Sequence, residues 1–248
     1  MESEGGVILG AIPARWGSTR FPGKALAEIA GRPLVAWVVE AALGARTLDA
    51  VVVVTDDERI ARAAESAGGR GVVIRRDAAS GSDRIAQLLG SDAECARARI
   101  VVNVQGDEPL LEPAAIDAAV ECLRADAEVD IATLSRPIRP DERADDPDLV
   151  KVAVGEGGFA LYFSRAAIPH GDVGHVHVGL YAFRRDAFDR FAAAAPTTLE
   201  RAERLEQLRA LEIGLRVRVA SFDSRSIAVD VPADVQRVAL ALSRAVRR

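Results

Sequence analysis

Three short runs constrain what this chain can become: Val7–Ile12, Val51–Thr55 and Ile100–Val104. They are apolar or β-branched almost throughout, and none alternates with polar residues. A strand of that kind is buried on both faces, which is the habit of parallel sheets covered by helices. The intervening segments have helical spacing. Pro33–Leu43 starts with proline in its first turn, Asp56-Asp57 precede Glu58–Ala67, and Gly68-Gly69 stop that helix. Ser82–Leu89 and Pro113–Leu123 add two helices, and Val72–Ile74 and Asp130–Leu134 add two strands. The alternation predicts an α/β fold with a mostly parallel central sheet flanked by helices. Ligands of such sheets bind beyond the carboxyl ends of the strands.

The pattern changes after residue 136. Arg139–Pro147 is polar and bounded by prolines, hence a loop. Val150–Val154 and Phe159–Phe163 flank Gly155-Glu156-Gly157-Gly158, a hairpin signal. Val176–Phe183 is a further strand, Asp186–Ala194 and Leu199–Leu211 are helices, Val217–Ser221 and Ile227–Val229 are strands, and Pro232–Val246 is a last helix. A chain of 248 residues, 49% hydrophobic, suits one large domain or one domain with an insertion. The net charge of -5 argues against nucleic acid or anionic membrane as partner. Residues 1–6 are acidic and unlike a signal peptide, no apolar run spans a bilayer, and two cysteines in no zinc spacing suit a reducing cytoplasm.

Chemistry concentrates in four places. The first strand opens at Pro13 into a loop with Arg15, Gly17, Ser18, Arg20, Gly23 and Lys24. Cations and glycines in that density suit a polyphosphate, with backbone N–H groups approaching and guanidinium and ammonium neutralising oxygens. Five residues separate Gly17 from Gly23-Lys24, and Ala25 stands where a P-loop has Ser or Thr. Secondly, Gln105-Gly106-Asp107-Glu108-Pro109 follows a strand, and Asp107 is either a turn aspartate or a ligand for a hard cation such as Mg²⁺. Thirdly, Asp230 precedes Pro232 and is either near a helix cap or a second carboxylate on the metal. Lastly, alternation puts His175, His177, Gly179 and Tyr181 on one strand face, which could hydrogen-bond a sugar or lie in solvent; a zinc pair there lacks a third ligand at any obvious spacing.

Ordered segments along most of the chain resemble the CMP-Kdo synthetases, the 3-deoxy-manno-octulosonate cytidylyltransferases. They are IPARWGSTRFPGK (12–24), TDDERIA (55–61), SGSDRIA (80–86), VVNVQGDEP (101–109), ALYFSRAAIP (160–169), HVGLYAFRR (177–185), LEQLRALEIG (205–214) and IAVDVPADVQRV (227–238). The resemblance implies a single domain over 1–248 of the nucleotide-diphospho-sugar transferase type, with a small antiparallel sheet insertion around 137–184 that helps form a homodimer. It implies an enzyme of the cytoplasm that transfers a cytidylyl group from CTP to the anomeric hydroxyl of Kdo with Mg²⁺, a step of lipopolysaccharide biosynthesis. Arg15, Ser18, Arg20, Lys24, Ser80 and Arg84 would bind the nucleotide, and Asp107 and Asp230 would hold the metal. Arg15, Lys24, Asp107 and Asp230 would carry catalysis. Gln105, Arg165, His177, Tyr181, Glu206 and Gln207 would line the sugar pocket.

Four departures qualify the match. Trp16 stands for the usual tyrosine, Ser82 for threonine and Ala78 for a common histidine. Only residues 170–176 separate AAIP from HVGLY, where the family has a longer loop. The short loop keeps open a cytidylyltransferase for another acid sugar, an amino-Kdo or a nonulosonic acid. A nucleotide-binding protein without turnover is the remaining alternative.

Overall fold

The computed structural model describes residues 6–18, 20–171 and 174–245. Most of the acidic leader, residues 172 and 173 of the short loop, and Val246 at the end of the expected last helix lie outside the described residues. The chain forms two compact units, Met1–Asp117 with Arg225–Arg248, and Ala118–Ser224.

In the first unit the chain runs through β1 (Val7–Pro13), a small hairpin of β2 (Glu28–Ile29) and β3 (Arg32–Pro33), α1 (Leu34–Leu43), β4 (Ala50–Thr55), α2 (Glu58–Ser66), β5 (Arg70–Val73), α3 (Gly81–Ser91) and β6 (Ala98–Asn103). The expected parallel arrangement is present, in the order β6-β1-β4-β5. Gly10 pairs with Val51 on one side and Val102 on the other, where a Cβ would come 2.6 Å from the Leu48 side chain. The continuous apolar runs are buried as their pattern requires: Leu9, Ala11 and Ile12, Val52–Val54, and Val101 with Val102 are almost wholly withdrawn from water. Against β1 and β4 pack α1, α2 and α3, with Val35, Val38, Ile60, Ile85 and Leu88 fully buried. Each such aliphatic side chain contributes on the order of 2 kcal/mol to folding.

The helix starts agree with their sequence signals. Asp57 accepts from the Arg59 N–H at the start of α2. Ser80 and Asp83 form a reciprocal capping box on α3. The β2–β3 turn lacked such a signal, because Ala30 takes a positive φ of 49° beside Gly31 at 79°.

Helix α4 (Pro113–Arg124) leads into the second unit, which contains β7 (Ile131–Arg136), β8 (Lys151–Val154), β9 (Ala160–Ser164), β10 (Val176–Arg184), α5 (Arg185–Ala193), α6 (Thr198–Glu203), α7 (Gln207–Glu212) and β11 (Val217–Ser221). Strand β7 pairs in parallel with β11 and antiparallel with β10, and β8 pairs antiparallel with both β10 and β9. The β8–β9 hairpin turns at the expected glycines, where the Gly158 N–H donates to the Gly155 carbonyl at 2.8 Å. Residues 137–184, the expected insertion, lie within this unit.

Two expected elements differ. The helix over 199–211 is interrupted, because Arg204 adopts a left-handed conformation at φ 56° and ends α6. The break still delivers Leu205 and Leu208 to the core. Residues 227–229 form no ladder. The Val229 N–H instead donates to the Asp107 carbonyl at 2.9 Å, and just before the segment the Arg225 N–H donates to the Glu112 carboxylate at 2.8 Å. The chain then returns to the first unit as α8 (Pro232–Ala245).

Candidate active site

Strands β6, β1 and β4 are neighbours, so the segments that follow them emerge side by side. Pairing continues past the strand ends, through Ala14 N–H to the Val54 carbonyl and Val104 N–H to the Ala11 carbonyl, both at 3.0 Å. The loop after β1 folds back on itself: the Trp16 carbonyl accepts from the N–H groups of both Ser18 and Gly23 at 2.9 Å. Gly23 has φ 73°, a conformation glycine adopts without strain. Gly106 is required for a different reason. A Cβ there would lie 2.6 Å from the Pro13 carbonyl oxygen, so only glycine lets the turn after β6 approach the end of β1.

These segments enclose a cleft of about 280 Å³ lined by Arg15, Ser18, Arg20, Lys24, Ser80, Arg84, Gln105, Asp107 and Asp230. Every residue expected to bind nucleotide or metal is among them, and so is Gln105, expected at the sugar. Lys24 is the centre of the charge pattern. Its ammonium lies 2.7 Å from Asp107 Oδ2 and 3.6 Å from Asp230 Oδ1, and Arg20 adds a 3.0 Å pair to the same Asp230 oxygen. The Lys24 side chain is only 16% exposed, so this cation is fixed rather than sweeping through solvent. Arg15 is exposed and has no side-chain partner among the described residues.

It is Asp234 that accepts from the N–H groups of Asp230 and Val231, at 2.8 and 3.0 Å, at the start of α8. The Asp230 carboxylate is therefore turned toward Lys24 and Arg20 rather than used as a cap. Asp107 likewise directs its carboxylate to Lys24. Ser80 does act as a cap, its hydroxyl accepting from the Asp83 N–H at 3.1 Å, although the residue also lines the cleft. Arg84 is buried, donates to the Ile74 carbonyl at 3.1 Å and lies 3.5 Å from Asp56.

Two acidic residues were missed from sequence. Asp56 accepts from the Trp16 N–H at 2.9 Å while facing Arg84, and so connects the loop after β1 to α3. Its signal was its place directly after β4, the same strand-end logic that selected Asp107. Glu108 is pushed up to about 7, chiefly by burial, with Asp107 and Glu112 adding to the rise and the Ser226 hydroxyl opposing it. Nothing in a GDEP string distinguishes a burial of that kind from a solvated turn.

The remaining sugar candidates lie in the second unit. His177 and Tyr181 share a face of β10, their rings 5.3 Å apart, with Phe163 edge-on to His177 at 5.1 Å. The His177 Nε2 is 2.9 Å from the Thr133 hydroxyl, and burial alone lowers its pKa to about 3, so the imidazole is neutral. Arg165 is tied down by donating to the Glu203 carbonyl at 3.0 Å and the Pro147 carbonyl at 2.8 Å. Gln207 is buried at the start of α7, and Glu206 lies 3.8 Å from the Arg209 guanidinium. His175 approaches the Ser135 hydroxyl at 3.4 Å.

Among the described residues, no group of three or more His, Cys, Asp or Glu forms a ready cation cage. The donor set nevertheless fits a hard divalent cation that takes part of its shell from phosphate: two carboxylates, both within 3.6 Å of a single positive centre, beside a loop rich in anion donors. Among the described residues no helix is long and apolar enough to cross a membrane.

A parallel sheet with a cationic loop after its first strand, facing two carboxylates, is the arrangement that nucleotidyl transfer requires. The family model for cytidylyltransferases matches residues 9–219. The chain is 49% identical over 232 residues to a 3-deoxy-manno-octulosonate cytidylyltransferase of Anaeromyxobacter dehalogenans, covering 91% of this chain and 93% of that one. Against the enzyme of the same name from Geobacter sulfurreducens it is 47% identical, with 93% and 97% covered. A solved structure of CMP:2-keto-3-deoxy-manno-octonic acid synthetase complexed with CTP superposes with a TM-score of 0.88 at 35% identity, covering 96% and 99%. A 4-diphosphocytidyl-2C-methyl-D-erythritol synthase from Anaerococcus prevotii shares the fold at TM-score 0.65 and 12% identity, over 96% and 99% of the two chains. The chain belongs to the cytidylyltransferase family.

Proposed function

We propose that this protein transfers the cytidylyl group of CTP to the anomeric hydroxyl of 3-deoxy-manno-octulosonate, giving CMP-Kdo and pyrophosphate. One observation carries the reading: Lys24 is fixed between Asp107 and Asp230 at the carboxyl ends of the parallel strands, in a cleft lined by two further arginines of the same loop. The likeness to relatives of that name over more than nine-tenths of the chain supports the choice of substrates.

In the transfer, the sugar hydroxyl oxygen forms a bond to the α-phosphorus, the bond from that phosphorus to the β-phosphate oxygen breaks, and the hydroxyl proton is lost to solvent. Charge grows on the departing pyrophosphate, and Arg15, Arg20 and Lys24 are placed to stabilise it. Arg84, buried and oriented by Asp56, gives the nucleotide pocket a fixed wall. Asp107 and Asp230 would hold a divalent cation, for which we propose Mg²⁺, and that ion would supply Lewis-acid polarisation of the phosphate. The neutral imidazole of His177 and the phenol of Tyr181 offer hydrogen bonds to sugar hydroxyls, with Gln105, Glu206 and Gln207 as further sugar contacts. Arg165, held on two carbonyls, would meet the sugar carboxylate only with what its guanidinium has left over.

The short 170–176 segment favours one second reading, an acceptor that is another ulosonic acid. We also propose that the protein is a cytoplasmic homodimer. The test is pyrophosphate release from CTP and Mg²⁺ across a panel of ulosonic acids. Release with Kdo as preferred acceptor is expected, preference for an amino-Kdo or nonulosonic acid would transfer the assignment, and CTP binding without release would identify a non-catalytic binder.

A further inference from the structure

Trp16 stands out because a large aromatic residue, 38% exposed, occupies the phosphate loop itself. Its indole is not free. The Arg59 guanidinium stacks over the ring at 3.8 Å from its centroid. The ring also covers Gly23 so closely that a Cβ there would be 2.8 Å from two of its carbons. Arg59 in turn is clamped to Asp57, with Nε 3.0 Å from Oδ1 and Nη2 2.6 Å from Oδ2, and the arginine beside Asp57 holds that carboxyl at about 2. The stack therefore runs from the capped start of α2 through the indole to the residue immediately before Lys24.

The main chain of Trp16 repeats the theme. Its N–H donates to Asp56, and its carbonyl gathers Ser18 and Gly23. Any residue can supply those backbone bonds, but only a flat ring can fill the space between a guanidinium and a glycine. An aromatic face suits that cation, and the left-handed Gly23 suits the ring's close approach.

We infer that Trp16 is a positioning residue whose side chain, held by Arg59, fixes the Gly23 turn and so sets where Lys24 and Arg20 meet the triphosphate. The inference rests on the reading that this cleft takes CTP. Displacement of such a charge by about 1 Å costs up to two orders of magnitude in rate, so a loosened loop should be visible in nucleotide binding.

The experiment is calorimetric CTP binding with steady-state kinetics for wild type, Trp16→Ala, Trp16→Tyr and Arg59→Ala. We expect Trp16→Ala to weaken CTP roughly tenfold without raising the sugar KM, Trp16→Tyr to retain affinity within about twofold, and Arg59→Ala to fall between them. A double Trp16→Ala, Arg59→Ala variant should be no weaker than Trp16→Ala alone. Wild-type affinity in Trp16→Ala overturns the inference, as does a Trp16→Tyr variant as weak as the alanine. Should Trp16→Ala fail to fold, an unaltered CTP affinity in Arg59→Ala overturns it. Wild-type protein that binds no CTP overturns the underlying reading and this inference with it.

Discussion

Charge is used differently in the cleft of the first unit and in the interior of the second. In the first, Arg15, Arg20, Lys24, Asp107 and Asp230 line one cleft, and among the described residues their side chains pair only with one another, Arg15 with none. In the second, the ionic groups complete the fold. Lys151 is wholly buried with its ammonium donating to the carbonyls of Asp146, Leu149 and Arg165, and Arg209 is buried against Glu200 and the Phe191 ring. Arg165 anchors to two carbonyls. A cleft whose charges have only each other as partners can exchange them for a ligand at little cost. A buried cation with a full set of acceptors cannot. On the proposed function, the nucleotide would meet a charged cleft, whereas the acceptor would meet mainly neutral hydrogen-bonding groups.

That contrast can be broken most severely at Asp107. Asp107→Ala should lower turnover by about three orders of magnitude while the thermal midpoint hardly changes, because the carboxylate is partly exposed and serves the site. Near-normal rates at saturating Mg²⁺ would remove it from the metal. Next in size is Lys24→Ala, for which kcat should drop about a hundredfold and the CTP KM should rise, since ground-state and developing charge are both affected. A change confined to the sugar KM would place the ammonium elsewhere.

A smaller effect tests the second unit. The His177 pKa is depressed from 6.5 to about 3 by burial, so between those values the unfolded chain binds a proton that the folded protein refuses. Stability from this group is complete above pH 6.5 and is lost as pH falls, by about 2 kcal/mol at pH 5. His177→Gln should flatten that acid limb, measured as thermal midpoints at pH 7.5 and 5. An unchanged pH slope would show that the imidazole is not buried as described.

The first unit was largely legible in the sequence because its strands are continuous β-branched runs and its site residues follow them directly. Asp230 was less so, since an aspartate two residues before a helix-starting proline has the same signature as a cap until Asp234 is seen to do the capping. The second unit was legible as strands and a glycine hairpin but not in its charges. Arg165, which the resemblance puts at the sugar, carries no sequence sign that its guanidinium is already engaged, and only tertiary structure could bring the carbonyls of Pro147 and Glu203 to it. The break at Arg204 was hidden for a similar reason: leucine periodicity carries through it, while the left-handed turn has no glycine to mark it.

The proposed function divides the labour: nucleotide would be recognised by the cationic cleft of the first unit and acceptor by the neutral face around His177. Measuring KM for CTP and for Kdo in Arg15→Ala and His177→Ala side by side tests it most directly. The expected result is crossed: roughly tenfold higher KM for CTP alone in Arg15→Ala, and roughly tenfold higher KM for Kdo alone in His177→Ala. A CTP-selective defect in His177→Ala, or an Arg15→Ala enzyme with unaltered CTP affinity, would contradict it.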